Sequence, residues 1–127
     1  MPKASIIIRT FNEEKHIGNL LRAVHEQSMK DFEIILVDSG STDRTIEIAT
    51  PQVDQVVSIA SRDFTFGYSL NAAGKRARGD FFVIISAHAI PVNDEWLSSI
   101  LAPFNDEMVA MIYGRHIGAQ TTKFSEQ

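Results

Sequence analysis

Hydrophobic positions recur with two different periods along the chain. Ser5–Arg9 (SIIIR), Phe32–Val37, Gln55–Ile59, Phe81–Ile85 and Val109–Tyr113 are short runs rich in Ile, Val, Leu and Phe. Such runs predict strands covered on both faces of a sheet. Between the first two runs, Ile17, Leu20, Leu21 and Val24 fall at i, i+3, i+4 and i+7, the stripe of a helix packed on that sheet. Asn12 is placed to cap this helix, with Glu13 and Glu14 in its first turn. A short helix is expected over Thr42–Ala49, capped by Ser41 and ended by Pro51. Ser61–Gly67 reads as a loop and Tyr68–Arg78 as a helix closed by Gly79. A last helix, capped by Asn93, carries Trp96, Leu97, Ile100 and Leu101, and the periodicity fades after Gly114.

Strands alternating with helices imply right-handed βαβ units, hence a three-layer α/β/α fold around a mostly parallel sheet. Ligands of such sheets bind outside the carboxyl ends of the strands. Three of those ends are polar here: Thr10-Phe11-Asn12, Asp38-Ser39-Gly40 and Ser86-Ala87-His88. They are expected to converge on one site.

Composition narrows the class of partner. The chain has 127 residues, suited to one domain, with no internal repeat or linker. Its net charge of −4 argues against nonspecific nucleic-acid binding. The basic cluster Lys75-Arg76-Ala77-Arg78 suits the end of a helix, where cations complement the dipole. The absence of cysteine excludes disulfides and thiolate metal sites. Apolar runs such as Phe81–Ile85 are far below the ~18 residues of a transmembrane segment. Only Ala4–Ile8 separates Lys3 from Arg9, too short for a signal peptide.

Several familiar chemistries do not fit. The turn after the first strand, RTFNEE, has no glycine, so the dinucleotide fingerprint G-x-G-x-x-G is missing, and no P-loop occurs. A hydrolytic triad from Ser39, His88 and Asp38 lacks the nucleophile elbow and would need adjacent residues to address one imidazole.

The segments ASIIIRTFNEEKHIGNLLRAV and FEIILVDSGSTDRTIEIA do match a pattern. A strand running into T-[FY]-N-x-E, a strand running into V-D-x-G-S-x-D, and the strand end at Ser86–His88 occur in order. Together they resemble the donor-binding half of the inverting family 2 glycosyltransferases, which have the GT-A, Rossmann-like fold. The resemblance spans roughly residues 4–115, and its second block is the most specific. It implies that Thr10, Phe11, Asn12, Glu14, Asp38 and Ser39 bind the donor nucleotide, Asp38 accepting the N–H of a pyrimidine base. D-S-G-S is also sound turn chemistry, and Asn12 also suits a cap. The middle segment is similar to a rhamnosyltransferase-like branch with F-x-H-G…R-N and Q-D-A-x-P. Phe64, Gly67, Asn71, Ala89 and Pro91 match it, which adds Asn71 to the donor site. Phe66 replaces its histidine, and Leu70 replaces an arginine able to grip phosphate.

In the family, the third strand end carries D-x-D or Q-D, whose carboxylate holds a divalent cation, Mn or Mg, against the diphosphate. Here His88 stands at that carboxylate's position, with Ser86 nearby. Three readings are open. His88 ligates a cation, with Ser86 acting through water; or its own charge replaces the metal; or the position has lost its role. His16, His25 and His116 read as structural, and Trp96 and Phe104 as core.

The resemblance implies transfer of a sugar from a UDP- or dTDP-linked donor to a saccharide or lipid-linked acceptor, in polysaccharide or glycolipid biosynthesis. A non-catalytic nucleotide-sugar-binding module is the alternative. The setting implied is cytoplasmic, with the inner face of the membrane as one place within it. Family members take their general base from an acid well downstream of the metal motif. Residues 1–127 are therefore expected to be one nucleotide-sugar-binding domain, a fragment lacking the acceptor and base region.

Overall fold

The β-branched run near the start forms β1 over Ala4–Thr10, all but Arg9 buried. The structure, a computed structural model, describes residues 2–60, 62 and 65–105. In chain order follow α1 (Ile17–His25), β2 (Phe32–Asp38), α2 (Thr45–Ala49), β3 (Gln55–Ser58), α3 (Phe66–Gly74), β4 (Phe81–Ser86) and α4 (Trp96–Leu101). The described strands form one sheet in the order β3-β2-β1-β4. All its pairings are parallel.

Alternation along the strands divides the core. Ile6, Ile8, Ile34, Leu36, Val83 and Ile85 pack with Ile17, Leu20, Leu21 and Val24 of α1, and with Ala49, Leu97 and Leu101 of α2 and α4. Ile7, Ile35, Val37 and Val57 pack on the opposite face with Ala73, Leu70 and Ala72 of α3. This is the expected α/β/α layering. Along β4, Val83 and Ile85 are buried, whereas Phe82 and Ile84 on the other face are exposed.

Helix starts differ from the sequence expectation, and at α4 a distant side chain joins the local one. α1 begins at Ile17; Asn12 stands outside it at φ 52°, in the left-handed region that asparagine tolerates. α2 begins at Thr45, whose amide donates to Asp43 Oδ1 at 2.9 Å, so Ser41 is free for another task. Ahead of α4, Asn93 accepts from the Glu95 amide, and buried Gln27 of the α1–β2 loop accepts from the Leu97 amide at 2.9 Å. Gln27 also donates to the Asn93 carbonyl at 2.7 Å, tying α4 to the end of α1.

α3 starts at Phe66, earlier than expected, because Thr65 accepts from the Tyr68 amide. It ends at Gly74, so Gly79 is not its closing residue. A β-carbon at Gly79 would lie 2.5 Å from the Ser5 nitrogen and 2.6 Å from the Ala4 carbonyl carbon. Close backbone approach, not a helix terminus, requires glycine there. The strand expected over Val109–Tyr113, with Phe64 and His116, lies outside the described residues.

Candidate functional site: a cleft at the switch point

β1 is flanked by β2 and β4, so the chain reverses its direction of winding between β1 and β4. A crevice opens at the carboxyl ends of strands at such a point. Here it is a cavity of about 380 Å³ lined by Arg9, Thr10, Phe11 and Glu13, with Ser39, Ser86 and His88. The three polar strand ends converge on it.

Asp38 organises the second strand end from beneath. It is 1% exposed. Its Oδ1 accepts from the hydroxyls of Thr10 (2.7 Å) and Ser41. Its Oδ2 accepts from the amides of Gly40 (3.1 Å) and Ser41 (2.8 Å). A carboxylate offers about four acceptor sites, and all four are engaged. Gly40 turns at φ 95°, which glycine adopts without steric cost.

The loop so folded grips the loop after β1. The Asn12 amide donates to Ser41 Oγ (2.8 Å), that of Glu13 to Thr45 Oγ1 (2.7 Å), and that of Glu14 to Asp43 Oδ2 (3.2 Å). In return, Asn12 Oδ1 accepts from the Thr42 amide at 2.8 Å. Partial burial works against the Asp43 charge, but bonds from Thr45 and Glu14 outweigh it and hold the carboxyl below its ordinary range. The Ser and Asp of G-S-x-D therefore have a structural reason: they dock one loop on the other.

The residues expected in the donor site separate into groups. Thr10, Phe11, Ser39, Ser86 and His88 line the cavity. Asn12 and Asp38 stand behind it with their side chains bonded to the second loop. Glu14 is exposed and meets that loop through its backbone. Asn71 is elsewhere: on α3, it borders a separate cleft with Tyr68, Lys75 and Phe82. The hydrolytic triad is not assembled. Ser39 Oγ donates to the Thr10 carbonyl, and the His88 ring faces Glu13, not Asp38.

Glu13 and His16 also stand beside His88, although sequence reasoning placed neither in the site. His88 Nδ1 lies 3.1 Å from Glu13 Oε2. The His16 ring meets the His88 ring edge-on, centroids 5.3 Å apart. Ligand atoms of Glu13, His16 and His88 all lie within 4.8 Å of one another. The signal available was E-x-x-H: amides of His16 and Ile17 donate to the Glu13 carbonyl, closing a turn that brings residues 13 and 16 to one side.

Comparison with known proteins gives this geometry its class: a GT-A domain of the sugar-nucleotide type. The profile of Glycosyl transferase family 2 matches residues 5–126, and the chain belongs to that family. It is 33% identical over 119 residues to the O-antigen chain rhamnosyltransferase WbaN of Salmonella anatum, covering 92% of this chain and 38% of that protein. Among solved structures it is similar to the mannosyltransferase PcManGT of Pyrobaculum calidifontis in complex with GDP-Man and Mn2+. That likeness has a TM-score of 0.77 and 27% identity over 85% of this chain and 34% of the other. A second is Staphylococcus aureus TarS 1-349 in complex with UDP-GlcNAc, with a TM-score of 0.68 and 28% identity over 92% and 37%. The chain thus spans less than two-fifths of the length of each of these three relatives. No helix among the described residues is long and apolar enough to cross a membrane.

Proposed function

We propose that the switch-point cavity binds the nucleoside-diphosphate part of a sugar donor, and that the protein transfers that sugar to a saccharide or lipid-linked acceptor. The observation that carries this is the convergence of the three strand ends on one cavity, in a chain of this family. The complexes of PcManGT with GDP-Man and of TarS with UDP-GlcNAc support it.

Each wall residue has chemistry suited to part of the donor. Phe11, half exposed, offers a face for a base, with Thr10 and Ser39 at its edge. For Asp38 to accept a pyrimidine N–H, it exchanges its longest bond, from Gly40, for the ligand's. Arg9 is among the wall residues, and a guanidinium suits the diphosphate, the chemistry that Leu70 removes from α3. A cation at His88, with Ser86 reaching it through water, would offset charge growing on the leaving diphosphate. The donor is UDP- or dTDP-linked in this reading. Residues 1–127 form the donor-binding domain, with the acceptor and base region elsewhere in the protein. The setting is the cytoplasm, at the inner membrane face for a lipid-linked acceptor.

Calorimetric titration with UDP, dTDP and GDP tests the reading. A pyrimidine diphosphate is expected to bind at least tenfold more tightly than GDP, and Phe11→Ala to weaken it about tenfold, the scale of one stacked base. Absence of binding by every nucleotide, with and without Mn2+, overturns it. One observation favours a second reading, a binding module without transfer: β4 ends in Ser86-Ala87-His88, with no carboxylate. That reading requires nucleotide binding with no sugar released or transferred.

A further inference from the structure

We propose that Glu13, His16 and His88 form a binding site for a first-row transition cation of the zinc and cobalt class, one that discriminates against Mg2+. This deepens the reading of the cleft as a donor site, because Glu13 and His88 both line it.

The donor set and its spacing carry the inference. Glu13 Oε2 and His88 Nδ1 are 3.1 Å apart. Two ligands on one ion, each at about 2.1 Å, show that separation when they subtend roughly 95°. A third ligand atom, on His16, lies within 4.8 Å of the other two. Two such ligands of a four-coordinate ion lie about 3.4 Å apart, so the His16 atom has to approach by at most roughly 1.4 Å. His16 and His88 are both exposed, and rotation about the side-chain torsions suffices. The elements that hold the trio are fixed from behind: the Glu13 amide is bound by Thr45, and His16 sits at the entry to α1.

Two imidazoles and one carboxylate suit zinc, cobalt and nickel, whereas Mg2+ takes oxygen ligands and keeps its waters. Affinity at such a site rises from manganese through cobalt to zinc, magnesium being weakest. Three protein ligands leave a four-coordinate ion one position for water or a phosphate oxygen. Replacement of a carboxylate by His88 at the end of β4 is then a change of preferred cation, with Glu13 and His16 of the first loop completing the set.

The test titrates the metal-free protein with Zn2+, Co2+, Mn2+ and Mg2+ by calorimetry, without nucleotide, and records the visible absorption of the Co2+ form. One Zn2+ is expected per chain, bound at least a hundredfold more tightly than Mg2+, with Co2+ giving the intense bands of a low-coordinate site. His88→Ala, His16→Ala and Glu13→Gln should each weaken Zn2+ at least tenfold and change the Co2+ spectrum, while His25→Ala leaves both unchanged. Circular dichroism melts confirm that each variant is folded. Equal Mg2+ and Zn2+ affinity, or zinc binding indifferent to all three substitutions, overturns the site. Nucleotide titration in the presence of a chelator separates the two proposals. Nucleotide binding without any zinc site defeats only the metal inference, and a zinc site in a protein that binds no nucleotide defeats only the donor reading.

Discussion

The β1–β2 pair carries the same device at both ends. At its start, Ser5 stands opposite Glu33, and the Ser5 hydroxyl donates to Glu33 Oε2 at 2.6 Å. At its finish, Thr10 stands opposite Asp38, and the Thr10 hydroxyl donates to Asp38 Oδ1 at 2.7 Å. Both carboxylates are buried, 2% and 1% exposed. Their remaining bonds go to different places. Glu33 accepts from the backbone and guanidinium of Arg78, so it closes the α3–β4 connection against the base of the sheet. Asp38 accepts from Gly40 and Ser41, so it shapes the loop that borders the cleft. One acid fastens the fold, and the other fastens the site.

The base of the sheet is where substitution costs most. Gly79 lies against Ser5 and Ala4, and its amide donates to Ser5 Oγ at 2.8 Å. The two nearest atoms a β-carbon would strike are backbone, and they cannot turn aside as a side chain can. Gly79→Ala is expected to destabilise the protein by about 3 kcal/mol, the upper range for overpacking. A urea-denaturation midpoint measures this. A loss below about 1 kcal/mol would show that the β1–β4 junction yields, and that the base is not the rigid end.

The two acids should then part company. Burial works against the Glu33 charge, but bonds from Ser5 and Arg78 and the nearby guanidinium outweigh it, and its pKa is lowered. A carboxyl with a lowered folded pKa adds stability above its unfolded value and loses it as pH falls through the folded one. Stability should therefore decline as pH falls below the ordinary glutamate value, and Glu33→Gln should remove part of that decline. Each amide variant turns an acceptor into a donor facing donors, at a cost of about 2 kcal/mol. Glu33→Gln should spend that cost on stability and leave nucleotide affinity unchanged. Asp38→Asn should lower stability to a similar degree and also weaken nucleotide binding at least tenfold. Equal effects on affinity would erase the distinction between the two ends.

The fold was legible because burial leaves a local signature. Isoleucine runs marked β1 and β2, the stripe from Ile17 to Val24 marked α1, and alternation of elements set the parallel sheet. Convergence of the strand ends followed from topology alone. What escaped depends on contacts between distant residues. Gln27 serves α4 across 70 positions, Ser41 and Thr45 bind amides of the first loop, and Gly79 answers to Ser5. None of these alters local periodicity. Glu13 and His16 looked like ordinary helix-entry residues, and only the placement of His88 beside them gave the pair a chemical meaning.

The smallest expected effect tests how firmly the site end is held. Asn12 combines a left-handed backbone with a side chain that accepts from the Thr42 amide, so two contributions act at one residue. Asn12→Ala loses the bond and keeps the unfavourable φ, while Asn12→Gly loses the bond and is at ease there. Loss of a bond at an exposed loop costs about 1 kcal/mol, and the left-handed conformation adds about 1 kcal/mol for a residue with a β-carbon. Alanine should therefore destabilise more than glycine, by roughly the second amount, in parallel urea titrations. Nucleotide affinity should follow the bond instead, falling several-fold and alike in both variants, because the Thr42 contact is what docks the two loops. If glycine restores affinity as well as stability, the backbone turn rather than the side chain sets the wall of the cleft.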